Sequence, residues 1–559
     1  MSKKLVLKQA SGAATPVERI SGMTFLDLEP YWESSTSGLL ALARVENRLY
    51  ALAEPVPEDA EEIEFIDTGH TDGTRVYMRT LAHILVEAVE MLYPGMSVHI
   101  EHSISGGLFC TLRDGEKTIQ PDSWMKNVLR EKMRELIDAN HPFIREEMSL
   151  EAARNYFRSV GREQKAQMLS YRKDPNLTLY RIGTRKDHLF GHLMPSTGRT
   201  PVFDLELFRQ GLILLGIERG TTDCVRNFYP QYKLSEIYNE NEAWSLLQGI
   251  DTVSSLNRVI EQGKLGEVIQ ISEQLQMMKI MEMAEQIRDQ HRRVLLIAAP
   301  SSSGKTSFAN KLRTALRVLG LRPETVSLDD YYVNREDTPK DENGEYDFES
   351  IHAIDIPLFN RDLNALLRGE DIERIRFEFV EGKRIHTGER FQIGRDDPII
   401  IEGIHGLNPM LSEHIAEKEK FRIYLSVITQ INMDEHNRVP TSDLRLMRRM
   451  ARDAFSRGRD GKQTIVEWPF VRKGEERNIF PFQEQADALF NSSFVYEIPM
   501  LRPIIEPMLE QIHEDHPAYI EAKRLKSMLQ YFLPVEDTSD VVSTSIFREF
   551  IGGSRLLGD

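Results

Sequence analysis

The chain has little cysteine, little tryptophan and a deficit of positive charge. Two cysteines, Cys110 and Cys224, in 559 residues exclude a disulfide framework and a four-cysteine zinc site. A reducing, cytoplasmic setting fits. Lysine and arginine number 70 against 87 acidic residues, a formal charge of −17. That argues against a protein whose main business is coating nucleic acid or anionic membrane, since bulk phosphate binding needs clustered positive charge. No apolar run approaches the roughly 18 residues of a membrane span. The opening MSKKLVLKQASG has no apolar core of signal-peptide length. Internal repeats and low-complexity tracts are lacking too. What is present is ordinary for a well-packed chain: 41% apolar and 28% charged residues. The length calls for about three or four domains.

The pattern changes along the chain. Up to about residue 66, "RLYALAEPV" and "EEIEFID" alternate as half-buried strands do. "RTLAHILVEAVEMLYPG" (79–95) predicts an amphipathic helix stopped by Pro94-Gly95. A strand pair through Gly106-Gly107 follows, then two polar helices over about 121–170 with a break at "NHPF", closing near 225. Residues 226–288 read as a charged helical connector. The methionine stripe "QMMKIMEMAEQI" within it is read as packing. From 289 to 510 strands and helices alternate, which predicts a mostly parallel sheet flanked by helices. Residues 511–559 are a C-terminal helix and an apolar tail expected to dock on the body.

The chemistry centres on Ala299-Pro300-Ser301-Ser302-Ser303-Gly304-Lys305-Thr306, after the buried strand "VLLIAA" and before a helix. That is the context of a phosphate-binding loop, whose N–H groups curl around phosphates at a helix N-terminus. Lys305 would reach the β- and γ-phosphates, and Thr306 would hold Mg²⁺. Ala299 stands where such loops have their first glycine. "SLDDYY" (327–332) ends the next predicted strand, so Asp329 or Asp330 is placed to take a proton from an attacking hydroxyl. "PIIIEG" ends in Glu402, placed to bind Mg²⁺ directly or through water. "DLRLMRRMARDAFSRGRDGK" (443–462) holds Arg445, Arg448, Arg449, Arg452, Arg457 and Arg459. It reads as a lid of arginines closing over a triphosphate.

Together these residues resemble the uridine kinase/phosphoribulokinase family of P-loop kinases over about 290–500. The resemblance implies ATP and Mg²⁺ as cofactors, with residues 299–307, Ser307 included, around the nucleotide. It places the catalytic base at Asp329 and Tyr332 near the nucleobase. Glu349, in "FESI", stands for the acid that grips the ribose hydroxyls. "FEFVEGKR" (377–384) resembles the base-recognition segment, with Phe377 and Arg384 as substrate contacts and Gly382 where the pyrimidine-reading histidine stands. Arg449, Arg452, Arg457 and Arg459 map to the lid, the first toward the acceptor and the other three toward the nucleotide.

The N-terminal half resembles threonyl-tRNA synthetases: residues 1–66 their small β-grasp-like TGS domain, and 67–225 their α+β second additional (editing-type) domain. Of the editing motifs H-x-x-x-H and C-x-x-x-H, this chain has Arg79-x-x-x-His83 and His188-x-x-x-His192. His83, His188 and His192 could converge as three metal ligands, or be structural histidines of a small-molecule or RNA-end pocket. The expectation is thus an ATP-dependent nucleoside kinase, a homo-oligomer, with an RNA- or tRNA-related ligand at its N-terminal half. Two rivals stand beside it. One is an RNA-binding protein with a P-loop nucleotide switch; the other is a same-fold kinase of a sugar or sugar phosphate.

Overall fold

The computed structural model describes residues 4–9, 12–33, 38–183, 185–340, 344–378 and 381–557. Near the N-terminus lies a five-stranded mixed sheet. Lys4–Lys8 pairs antiparallel with Ala14–Glu18 and parallel with Glu62–Asp67, and Leu40–Val45 with Arg48–Ala51 completes it. Its alternation is that of a half-buried strand: Ile63 and Phe65 point into the core while Glu62 is exposed.

The next helix spans Thr71–Leu92, starting eight residues before the expected 79. The nitrogen of His70 caps it by accepting from the Asp72 N–H. Gly73 permits this early start: a Cβ there would lie 2.0 Å from the Asp67 carbonyl oxygen. Two strands, Met96–Ile104 and Gly107–Asp114, follow as expected. The region read as two polar helices differs. It holds three, Ser123–Asp138, Leu150–Ser159 and Glu163–Leu169, with a strand Ile144–Ser149 inserted after the first. That strand is mostly exposed and owes its form to pairing with Asn176–Ile182, a long-range partner its own pattern does not announce.

The C-terminal half is built on a five-stranded parallel sheet in the order Glu324–Ser327, Ile399–Glu402, Val294–Ala298, Lys420–Ser426, Ala488–Asn491. All five residues of Val294–Ala298 are buried, which explains its unbroken apolar run. The long helix Leu265–Asp289 shares this core: Ile280, Met283 and Ile287 cluster with Leu295, Ile297 and Phe308. Of its methionines, Met283 lies in the core and Met277 and Met281 pack against it, while Met278 is exposed, so most of the stripe is packing. The apolar tail docks as expected, with Ile546, Phe547 and Phe550 fully buried.

The two halves are fastened by a buried ion cluster. Asp187 accepts from Lys165 at 2.5 Å, Arg162 at 3.1 Å and Arg185 at 2.8 Å, and lies 2.6 Å from a ring nitrogen of His436 in the C-terminal half. Among the described residues no helix is long and apolar enough to cross a membrane.

Candidate active site

The parallel sheet brings the predicted motifs to one place, outside the carboxyl ends of neighbouring strands. The loop after Val294–Ala298 curls at Ser302 (φ 62°) and Gly304 (φ 77°) and enters the helix Lys305–Val318. Ala299 is not among the residues with positive φ, so alanine in place of the usual glycine meets no strain there. The conformational cost falls on Ser302 instead.

The loop is held from behind. Its carbonyls are bonded outward: the Ser301 oxygen accepts from Arg445 at 3.0 Å, the Ser302 oxygen from Arg448 at 3.3 Å, and the Ser303 oxygen from the Ser492 hydroxyl. Ser302 and Ser303 keep buried hydroxyls without a hydrogen-bond partner. Lys305 reaches back to Glu402 at 2.8 Å. Beside them stands Asp329, just past the strand Glu324–Ser327. Burial pushes its carboxyl up, and Glu402 adds to the push while Lys305 opposes it. Asp330 is committed elsewhere, accepting the Phe377 N–H at 3.3 Å. The geometry thus separates the two aspartates that spacing alone left equivalent.

Glu349 joins the same cleft. Burial, then the carboxylates of Glu475 and Asp329, push it up to about 7. The Tyr332 hydroxyl donates to the Phe348 carbonyl at 3.1 Å, and its ring lies 5.5 Å from that of Phe377. Arg384 does not project into the cleft. It donates to the carbonyls of Tyr331 and Tyr332 and pairs with Asp355 at 3.1 Å, so it positions Tyr332. Gly382 (φ 69°) lies under Arg335, and a Cβ there would meet Arg335 Nε at 2.7 Å. Phe379 and Val380 of the same segment lie outside the described residues.

The arginine-rich segment divides in two, and only part of it fits the lid reading. Arg445 and Arg448, on the helix Thr441–Ser456, are core fasteners. Arg445 pairs with buried Glu475, which also accepts the Ser301 N–H at 3.0 Å; Arg448 pairs with buried Glu497. Arg449, Arg452 and Arg457 gather around the buried carboxylate of Asp453, at 3.5, 3.6 and 3.2 Å. Arg449 also reaches the Ser301 hydroxyl at 2.8 Å. Arg459 is turned out to Glu467. The docked tail adds Glu549, which accepts from the Ser307 hydroxyl at 2.7 Å and lies 3.8 Å from Arg452. Glu475, Glu497 and Glu549 escaped the sequence reading because each acts across the fold, where no local spacing marks them; Asp453, four residues from Arg449 and from Arg457, carries a local signal that the reading passed over.

The fasteners carry a stability prediction. Removing one partner of a buried ion pair leaves an uncompensated charge and costs about 3–5 kcal/mol. Arg448→Ala is expected to lower the thermal midpoint sharply, while the double change Arg448→Met with Glu497→Leu costs much less. Equal losses in the two proteins would contradict the fastener role.

The residues fit Mg-nucleotide. Magnesium takes one or two protein oxygens beside those of phosphates, and the exposed Thr306 hydroxyl and Glu402 are such donors. The three-histidine metal site is not formed: among the described residues no group of three or more His, Cys, Asp or Glu side chains could hold a metal. His188 turns away, between the Thr178 carbonyl at 3.1 Å and the Tyr531 hydroxyl at 3.2 Å. His83 and His192 line a cavity, held neutral by burial.

Comparison with known proteins finds a likeness in each half of the chain. Residues 294–498 match the model of the phosphoribulokinase/uridine kinase family. The N-terminal region is similar to threonine–tRNA ligases. It is 32% identical over 165 residues to that of Halorhodospira halophila (29% of this chain, 25% of the relative). It is also 32% identical over 164 residues to that of Syntrophotalea carbinolica (29% and 25%). The matched stretch thus spans about a quarter of these relatives' length. A solved structure described as a possible uridine kinase from Bacillus stearothermophilus aligns with 36% of this chain and 89% of its own, at 18% identity and a TM-score of 0.25. The chain therefore joins a region that matches the phosphoribulokinase/uridine kinase family model, residues 294–498, to an N-terminal region similar to threonine–tRNA ligase.

Proposed function

We propose that this protein is a phosphotransferase that moves the γ-phosphoryl group of ATP to an alcohol, with a nucleoside 5′-hydroxyl as acceptor. The observation that carries the reading is the meeting of Lys305, Glu402 and Asp329 beside the curled loop 299–306. Bound Mg-ATP supplies the transferable phosphoryl group and part of the charge neutralisation. Lys305 and the loop N–H groups orient the phosphates, with Thr306 and Glu402 as the metal donors. Asp329 takes the proton from the acceptor hydroxyl. Arg449, Arg452 and Arg457, pre-gathered by Asp453, face the charge that spreads in transfer. Positioning and charge supply most of the rate.

Glu349 would grip the acceptor's hydroxyls through its carboxylate. Its pKa near 7 predicts that the acceptor KM falls as pH rises through about 7. The stability sign is opposite. A carboxyl raised above its unfolded value loses stability as pH climbs from the unfolded value to the folded one. Relative to wild type, Glu349→Gln should therefore be more stable at pH 8 than it is at pH 5, and flatten the KM profile. An unchanged KM profile would remove Glu349 from the acceptor site.

A specific observation favours a second acceptor class. Where the pyrimidine-reading histidine would stand, Gly382 is covered by Arg335. A guanidinium there suits a sugar phosphate. An acceptor panel of uridine, cytidine, purine nucleosides, ribose and sugar phosphates, read as ADP release, decides between the two. The similarity to threonine–tRNA ligases supports an RNA- or tRNA-related ligand at the N-terminal half. Arg79, in place of a motif histidine, argues against surviving editing hydrolysis. A nucleotide switch without transfer would show ATP binding and no response to any acceptor. A cytoplasmic homo-oligomer completes the proposal.

A further inference from the structure

A cavity of about 1100 Å³ lies between the N-terminal half and the parallel-sheet half, apart from the cleft of Asp329. Both halves contribute its walls: Arg75, Arg79 and Arg219 from one, Arg438, Lys523 and Arg524 from the other. Its charge inverts that of the chain. Ten lysines and arginines line it against four acidic residues, in a protein with 70 against 87.

Each of the four carboxylates is already matched. Asp72 pairs with Arg75 at 3.0 Å, Glu218 with Arg226 at 3.2 Å, Asp443 with Arg524 at 2.6 Å and Glu476 with Arg472 at 3.4 Å. Arg48 and Arg445 pair with carboxylates outside the lining, Glu514 and Glu475. Arg79, Arg219, Arg438 and Lys523 remain, with no carboxylate within 4 Å among the described residues. Among the described residues Arg79 donates to the His192 carbonyl, at 2.7 Å, and to no carboxylate. Burial, with Arg75 and Arg524 nearby, holds its guanidinium down to about 10. Positive groups this close, with low-dielectric walls, concentrate potential that an anion relieves.

We propose that this cavity is a second ligand site, for a small phosphate-bearing anion of nucleotide size, held by Arg79, Arg438, Arg219 and Lys523. The volume is that of a small-molecule site. Phosphate fits the donors, since guanidinium forks bind its oxygens in pairs. The site also borders the phosphate loop: Pro300, Arg445 and Arg472 stand in its wall. Arg445 holds the Ser301 carbonyl, and its partner Glu475 accepts the Ser301 N–H. Occupancy is therefore felt at the loop, and by linkage a nucleotide in the loop is felt in the cavity.

The test is calorimetric titration of inorganic pyrophosphate into the full-length Lys305→Ala protein, which sets aside the phosphate loop and makes the result independent of kinase activity. Saturable binding that weakens with added salt is expected. Adding Arg438→Gln should weaken it about tenfold, the worth of one charged hydrogen bond. Lys523→Gln, at an exposed position that folding tolerates, should weaken it severalfold with the melting curve unchanged. A 5′-phosphorylated oligoribonucleotide distinguishes the source of the phosphate: affinity no better than that of pyrophosphate supports a small ligand. Absence of pyrophosphate binding, binding indifferent to both substitutions, or affinity that rises with oligonucleotide length would overturn the proposal.

Discussion

Lys305→Ala should abolish acceptor-dependent ADP formation, a loss of at least about 10²–10³-fold, the cost of removing one preorganised charge donor. The expected loss exceeds that of an ordinary phosphate contact because Lys305 has two tasks. It faces the phosphates, and it is the cation against which Glu402 and Asp329 are set, with Glu402 at 2.8 Å. Without it, two buried carboxylates face each other and Asp329 holds its proton more tightly. The base is then lost along with the phosphate contact. Arginine at the position should not rescue, since a planar fork cannot replace a compact ammonium there. Turnover near wild type would remove the phosphate-loop assignment.

Asp329→Asn should cut transfer by about 10²–10⁴-fold, the range for loss of a general base, while leaving ATP binding intact. Asparagine keeps the shape and cannot take the proton. Asp330→Asn serves as the internal contrast. Its oxygen accepts the Phe377 N–H, which asparagine's amide oxygen also does, so transfer should change little. The two variants exchange roles if the assignment is reversed. In the wild type the acid limb of the kcat profile should lie above the usual aspartate range, because burial and Glu402 raise the Asp329 carboxyl.

The phosphate loop, the strand ends and the acid after each strand were legible because they are local. A buried strand reads as an apolar run, and the serine-rich loop that follows it directly ends in Gly304-Lys305-Thr306 at the start of a helix. The docked tail was legible from its apolar residues. Less legible were the groups that work across the fold. Glu475 and Arg445 are thirty residues apart and meet only after two helices pack. Arg448 looks in sequence like its neighbour Arg449, yet one is fully buried and the other borders the loop. Helical periodicity gives faces but not which face meets the core. The strand Ile144–Ser149 shows the same limit for backbone: its partner, not its composition, sets its form. The three histidines failed to converge because His188 finds Tyr531, more than three hundred residues away.

The most direct test is to incubate the protein with Mg-ATP and each acceptor and weigh the acceptor by mass spectrometry. Phosphoryl transfer predicts one acceptor gaining a single phosphoryl group in step with ADP, and no gain with Lys305→Ala. ADP released with every acceptor unchanged in mass, or a gain that survives Lys305→Ala, would contradict it.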